Sequence, residues 1–324
     1  MNQETFEKKH QQEWERFEQW QADAGKRQAP DTPAVADIPY LFRQVCHHLA
    51  LAKQRMYSPY LVARLNRLVL GGHAEFYRNR AGLFSRILHF ILVDFPATVR
   101  QEYRLMTLSV MLFFGSLITI AVLIQYWPDL AYSILSEKQM ADFEYMYRPD
   151  ASHFGRNREA TSNFQMFGFY IFNNITISFR VFASGMLLGL GTIFYLLFNG
   201  IYMGAIVGYL LRIGYGVTIM SFTAGHGSFE LTAIAIAGCA GFKLGFAIVK
   251  PGRYSRTEAL KKAARTCVTL IWGVIGMLLI AAFIEAYWSS MHAIRPQVKY
   301  IVGGALWLLV IGYFLFAGRG YETR

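Results

Sequence analysis

Charge is scarce in this chain and cysteine scarcer, and each shortage excludes a class of protein. Asp, Glu, Lys and Arg make up 16% of the 324 residues, where a soluble domain carries about 25%. Hydrophobic residues reach 54% and the mean hydropathy is +0.27, which points to a polytopic membrane protein. The three cysteines, Cys46, Cys239 and Cys267, lie far apart and lack metal-site spacing, so a disulfide framework is not expected. The first 24 residues have no apolar core, so no signal peptide is expected, and the first span should act as an uncleaved targeting signal. There is no serine elbow, no cysteine paired with a base, and no Gly-rich phosphate loop after a strand. No catalytic residue, cofactor or enzymatic activity is therefore expected.

What the chain does contain is long apolar runs. Between Phe164 and Arg212 there is no Asp, Glu or Lys, and Arg180 is the one intervening charge. Runs of roughly 20 residues are what a bilayer core about 30 Å thick requires. Six spans are expected, at about 105–126, 164–188, 189–211, 229–249, 268–287 and 298–317, with both ends cytoplasmic. Five is the competing count, since 164–211 can also dip and return. Residues 213–228 read as a short uncharged segment. The fold expected is all-α, a transmembrane bundle over residues 105–324 preceded by a cytoplasmic helical domain over residues 1–104. In the latter, 4–21, 40–52 and 59–77 repeat apolar residues at helical spacing, a break covers 24–39, and 87–95 is an interfacial elbow.

The net charge of +11 is unevenly placed. Residues 1–104 hold 15 basic and 11 acidic groups, a net of +4. Residues 250–265 hold Lys250, Arg253, Arg256, Lys261, Lys262 and Arg265 against Glu258, a net of +5. The expected outer loop 127–165 has four basic and six acidic groups, a net of −2. This is the positive-inside bias of a membrane protein, not the footprint of a nucleic-acid binder. The 250–265 loop is expected to meet anionic lipid or a partner protein.

Small residues recur four apart: Gly185 and Gly189; Gly200, Gly204 and Gly208; Ala233, Ala237, Gly241 and Gly245. Such faces let helices approach closely in lipid, either inside one bundle or in a homo-oligomer, expected as a dimer.

The polar groups inside the apolar region are the candidate functional residues: Asn173, Asn174, Arg180, Asn199, His226, Glu230 and Lys243. A charge at the bilayer centre costs at least about 2.5–3.5 kcal/mol, so each needs a partner or an interface. Arg180 and Lys243 are expected either to snorkel inward or to join a buried network. Asn199, followed by Gly200, either marks a local unwinding of its helix or bonds between helices, and the second is expected. In Gly225-His226-Gly227-Ser228-Phe229-Glu230, Ser228 reads as an N-cap and Glu230 as a first-turn acid. His226 and Glu230 are four apart and could offer two ligands to a metal, but no second His or Cys in the membrane region completes a set, so no metal is expected.

Several of these segments together resemble a known family. Leu41-Phe42-Arg43, His48-Leu49-Ala50 and Leu65-Asn66-Arg67-Leu68-Val69, with His73 and Tyr77, are similar to the N-terminal region of stage II sporulation protein M family members. So are Phe172-Asn173-Asn174-Ile175, Phe182-Ala183-Ser184-Gly185, Asn199-Gly200, Gly225-His226-Gly227 with Glu230, and Ala237-Gly238 with Gly241 and Gly245. Gly225 stands where the family pattern has proline. The resemblance implies a non-enzymatic scaffold in the bacterial inner membrane, from the branch found outside spore formers. It implies, as partners, a MoxR-type AAA+ ATPase and von Willebrand factor A-like proteins, in envelope or peptidoglycan remodelling. A channel or transporter using the intramembrane polar groups is the reading from another class.

Overall fold

The computed structural model describes residues 2–24, 38–78, 83–150, 163–291 and 293–321, and among them there is no strand. The chain divides into two compact units, Met1–Ile87 and Leu88–Arg324. The expected boundary at 104 is thus displaced, because residues 88–104 pack with the bundle.

The first unit contains α1 (Gln3–Ala24), α2 (Ile38–Gln54) and α3 (Pro59–Arg78). Their apolar residues at helical spacing meet in one core of Phe6, Trp14, Phe17, Val45, Leu65 and their neighbours. The expected break at 24–39 falls mostly outside the described residues. Trp14 Nε1 donates to His48 Nδ1 at 3.1 Å inside this core. Burial, and next the charge of His10, lower the His48 pKa to about 4.

α4 (Leu83–His89) buries none of its residues and exposes Leu83, Phe84, Ile87 and Leu88. An apolar surface helix of this kind suits the expected interfacial elbow. A π-helical turn at Phe90–Asp94 and α5 (Phe95–Gln101) lead into α6 (Tyr103–Tyr126). α7 (Leu130–Ile134) and α8 (Glu137–Tyr147) follow, the second begun by a reciprocal capping box between Ser136 and Gln139. Then come α9 (Asn163–Ala183), α10 (Leu190–Arg212), α11 (Gly216–Val249), α12 (Arg256–Ile284) and α13 (Pro296–Phe316).

Five described helices are long and apolar enough to cross a membrane: α6, α10, α11, α12 with its π-helical extension, and α13. The sixth expected span coincides with α9, which at about 31 Å is long enough but carries Asn173, Asn174, Thr176, Ser178 and Arg180. Its buried positions, Met166, Tyr170, Asn174, Ser178 and Val181, recur every three or four residues and face the bundle. α9 is therefore held by an inward stripe that includes polar groups, a pattern that average hydropathy misses.

A second correction concerns 213–228 and 229–249. From Gly216 onward they form one uninterrupted helix of 34 residues, α11, which lies at the centre of the bundle and is its most buried span. Ser228 is not an N-cap; its hydroxyl donates to the Gly225 carbonyl of the same helix. Glu230 is not in a first turn either. It sits 14 residues after Gly216, about 21 Å along the axis.

The glycine faces are spent within the chain. Gly200, Gly204 and Gly208 press α10 against α6, and a Cβ at Gly204 would lie 2.5 Å from the Leu117 carbonyl oxygen. Gly185 abuts the Gly241 backbone, and Gly245 abuts Gly189 in the turn before α10. Leu188 and Gly189 take positive φ there, 54° and 84°, which folds α9 back onto α10 in a few uncharged residues.

Candidate functional site

The site forms where α8, α9, α10, α11 and the end of α12 converge. A cavity of 380 Å³ lies between them, lined by polar groups from every one of these elements, including Gln139, Asp142, Asn174, Tyr202, Glu230 and Glu285. Three of its lining residues are acidic, and among the described lining residues none is Lys or Arg.

α8 roofs this cavity because it is pinned to α10 and α11. The Tyr209 hydroxyl donates to the Glu144 carboxylate, Gln139 Nε2 donates to the Tyr202 hydroxyl at 3.1 Å, and the Thr218 hydroxyl donates to the Tyr147 carbonyl at 2.7 Å. Burial, and next the facing charge of Glu285, hold the Tyr147 hydroxyl above the usual tyrosine range.

His226 sits behind the wall residues Phe222 and Glu230, 4% exposed, with the Phe222 ring edge-on at 5.2 Å. Its Nδ1 is 3.0 Å from Ser289 Oγ, and its Nε2 is 3.9 Å from Glu230 Oε2. Glu285 completes the group: ligand atoms of His226, Glu230 and Glu285 all lie within 4.8 Å of one another. Sequence reasoning placed Glu285 at the outer end of a span and missed it. The signal is a π-helical turn at Glu285–Ser289 that ends α12, a register change that turns both Glu285 and Ser289 inward. Such turns occur often at functional sites. Missed as well was Lys299 of α13, fully buried, whose Nζ donates to the Ser289 carbonyl at 2.6 Å.

Asn174 is 3% exposed and its Nδ2 has no hydrogen-bond partner, although its amide faces the Glu230 carboxylate. Asn173 donates to Asn174 Oδ1 at 3.0 Å, fixing which atom of Asn174 is left over. The structure thus brings together four of the seven predicted polar residues: Asn173, Asn174, His226 and Glu230.

The other three lie elsewhere. Arg180 is exposed near the end of α9. Asn199 Nδ2 donates to the Tyr195 carbonyl of its own helix at 2.7 Å, so the expected interhelical bond gives way to a one-turn back-bond. Lys243 does not line the cavity; it is ion-paired with Glu102, between α5 and α6. The six basic residues of 250–265 are all exposed, and Lys262 Nζ lies 3.6 Å from the centre of the Tyr254 ring.

A helical bundle with five membrane-length apolar helices and a buried polar chamber defines a multi-pass membrane protein. Residues 108–290 match the family described as Stage II sporulation protein M. That match covers more than half of the chain, and the protein belongs to this family. Residues 4–78 match a separate domain of unknown function, DUF8413, which ends within the first compact unit. An uncharacterised protein of Methanocaldococcus jannaschii is 28% identical over 121 residues, covering 36% of this chain and 66% of the relative, just under two thirds of it. No solved structure matches.

Proposed function

We propose that the protein is a non-enzymatic membrane scaffold, with the first unit and the 250–265 loop as its recruiting surfaces. The observation that carries this reading is the close packing between helices of the bundle. There α10 meets α6 and α11 meets the α9–α10 turn backbone to backbone through glycine. Packing this tight suits a fixed platform, since shifting either helix would break many contacts at once. The separately compact first unit and the six exposed cations supply surface for partners and anionic lipid. By the family resemblance, the partners are a MoxR-type AAA+ ATPase and von Willebrand factor A-like proteins, and the site of action is the inner membrane of a bacterium. Affinity recovery from detergent extracts of the full chain and of a chain lacking residues 1–87 tests it. Partners should be lost with the deletion; unchanged recovery removes the first unit from the reading.

The acidic chamber favours a second reading, passage of a small cation. In proteoliposomes Glu230→Gln would then abolish flux that the native protein supports. No flux above empty vesicles leaves the scaffold reading standing.

A further inference from the structure

We propose that His226, Glu230 and Glu285 form a binding site for a divalent cation of the zinc or manganese class, with the two carboxylates lining the chamber and His226 behind them, and with one coordination position open to the chamber. The site goes beyond a scaffold role and does not depend on it.

The donor set is one imidazole nitrogen and two carboxylates from two helices. Imidazole with carboxylate suits zinc and manganese, while the missing thiolate disfavours copper(I) and the imidazole disfavours magnesium and calcium. Ligand atoms around one such ion stand about 3.3 Å apart at bond lengths near 2.1 Å. The 3.9 Å between His226 Nε2 and Glu230 Oε2 closes to that by a shift of about half an ångström. His226 also has the outer contact that ligating histidines use. With Nδ1–H donating to Ser289 Oγ at 3.0 Å, the Nε2 lone pair points to the carboxylates.

Asn174 adds a second polar group beside the donor set. Its Nδ2 is a donor, buried, without a hydrogen-bond partner, and in the same cavity wall as Glu230 and Glu285. A donor cannot ligate a cation. It faces the Glu230 carboxylate and can orient that ligand, or bond the oxygen of a water or solute held in the ion's open position. The chamber's acidic lining supplies the entry path for a cation.

The second group of this kind, His10, Glu13 and His48, lacks these features. There the His48 Nδ1 lone pair accepts from Trp14 Nε1, so that histidine is committed to the core.

The test is metal content of the full chain, purified in detergent, stripped with chelator and reloaded with Zn2+ or with Mn2+ alone. The native protein should retain one ion per chain and gain thermal stability with added metal. The Glu230→Gln/Glu285→Gln double variant should retain none while staying monodisperse. Should that variant fail to fold, Ser289→Ala should weaken metal affinity about 10–100-fold, as loss of an outer-shell partner does. Equal metal retention by native and double-variant protein, unchanged affinity in Ser289→Ala, or no ion bound by the native protein each overturns the proposal.

Discussion

The ammonium of Lys243, near the C-terminal end of α11, is ion-paired with the carboxylate of Glu102 at the joint between α5 and α6. The pair is 32% and 15% exposed on its two sides, so it lies between a surface bridge and a fully buried one. Either single change, Lys243→Met or Glu102→Gln, leaves one charge without its partner. Each is expected to cost about 1–3 kcal/mol, and the double variant less than the sum. Thermal unfolding in detergent reads this directly, and strict additivity would show that the pair contributes nothing as a pair.

Gly204 and Gly304 make opposite predictions. A side chain at Gly204 meets the Leu117 backbone, whereas Gly304 on α13 faces open space. Gly204→Leu should lower stability by about 1–3 kcal/mol or more through overpacking. Gly304→Leu should be neutral or slightly stabilising through helix propensity. Because Gly204 is consumed within the chain, its substitution should leave the mass of the detergent-solubilised particle unchanged. A change of oligomeric state without loss of stability would place that glycine at a subunit interface instead.

Single cysteines at Ser136 and Ser255, in a Cys46→Ser background, decide whether α9 crosses the membrane. Both positions are exposed. If α9 crosses, the two lie on opposite sides; if it does not, they lie on the same side. The charge bias between 127–165 and 250–265 predicts opposite sides, with Ser255 inside. Labelling of both by an impermeant reagent from one face would reduce the count to five.

The first unit should lose stability in acid through His48. Its folded pKa of about 4 lies below the ordinary 6.5, so the unfolded chain binds the proton more readily. Stability from this group is therefore complete above pH 6.5 and falls as pH drops toward 4, by up to about 3 kcal/mol. His48→Gln should flatten that part of the pH profile. A profile as steep as the native one would assign the acid sensitivity to other groups.

Composition, hydropathy runs and period-3.6 patterns were enough to specify an all-helical membrane protein with a separate helical first unit. The ranges of α2 and α3 follow from the spacing of Leu41, Val45 and Leu49 and of Leu61, Leu65 and Leu68. The sequence pattern divides the helix at 216–249 in two, because Ser228 between glycine and Phe229-Glu230 reads as an N-cap. In the bundle, Gly225 serves the close approach of Trp288, and Gly303 of α13 packs against Ala224. Tertiary packing overrides the low helix propensity of glycine at both.

The sequence by itself determined the solvent: runs of apolar residues can be satisfied only by lipid, and that follows from length and composition alone. It also singled out His226, Glu230 and Asn174 as groups that need partners there. Only the tertiary structure decided who those partners are. Glu285 lies 55 positions beyond Glu230, and a single π-helical turn sets which way it points. That register change comes from packing between helices, and no local pattern of residues encodes it.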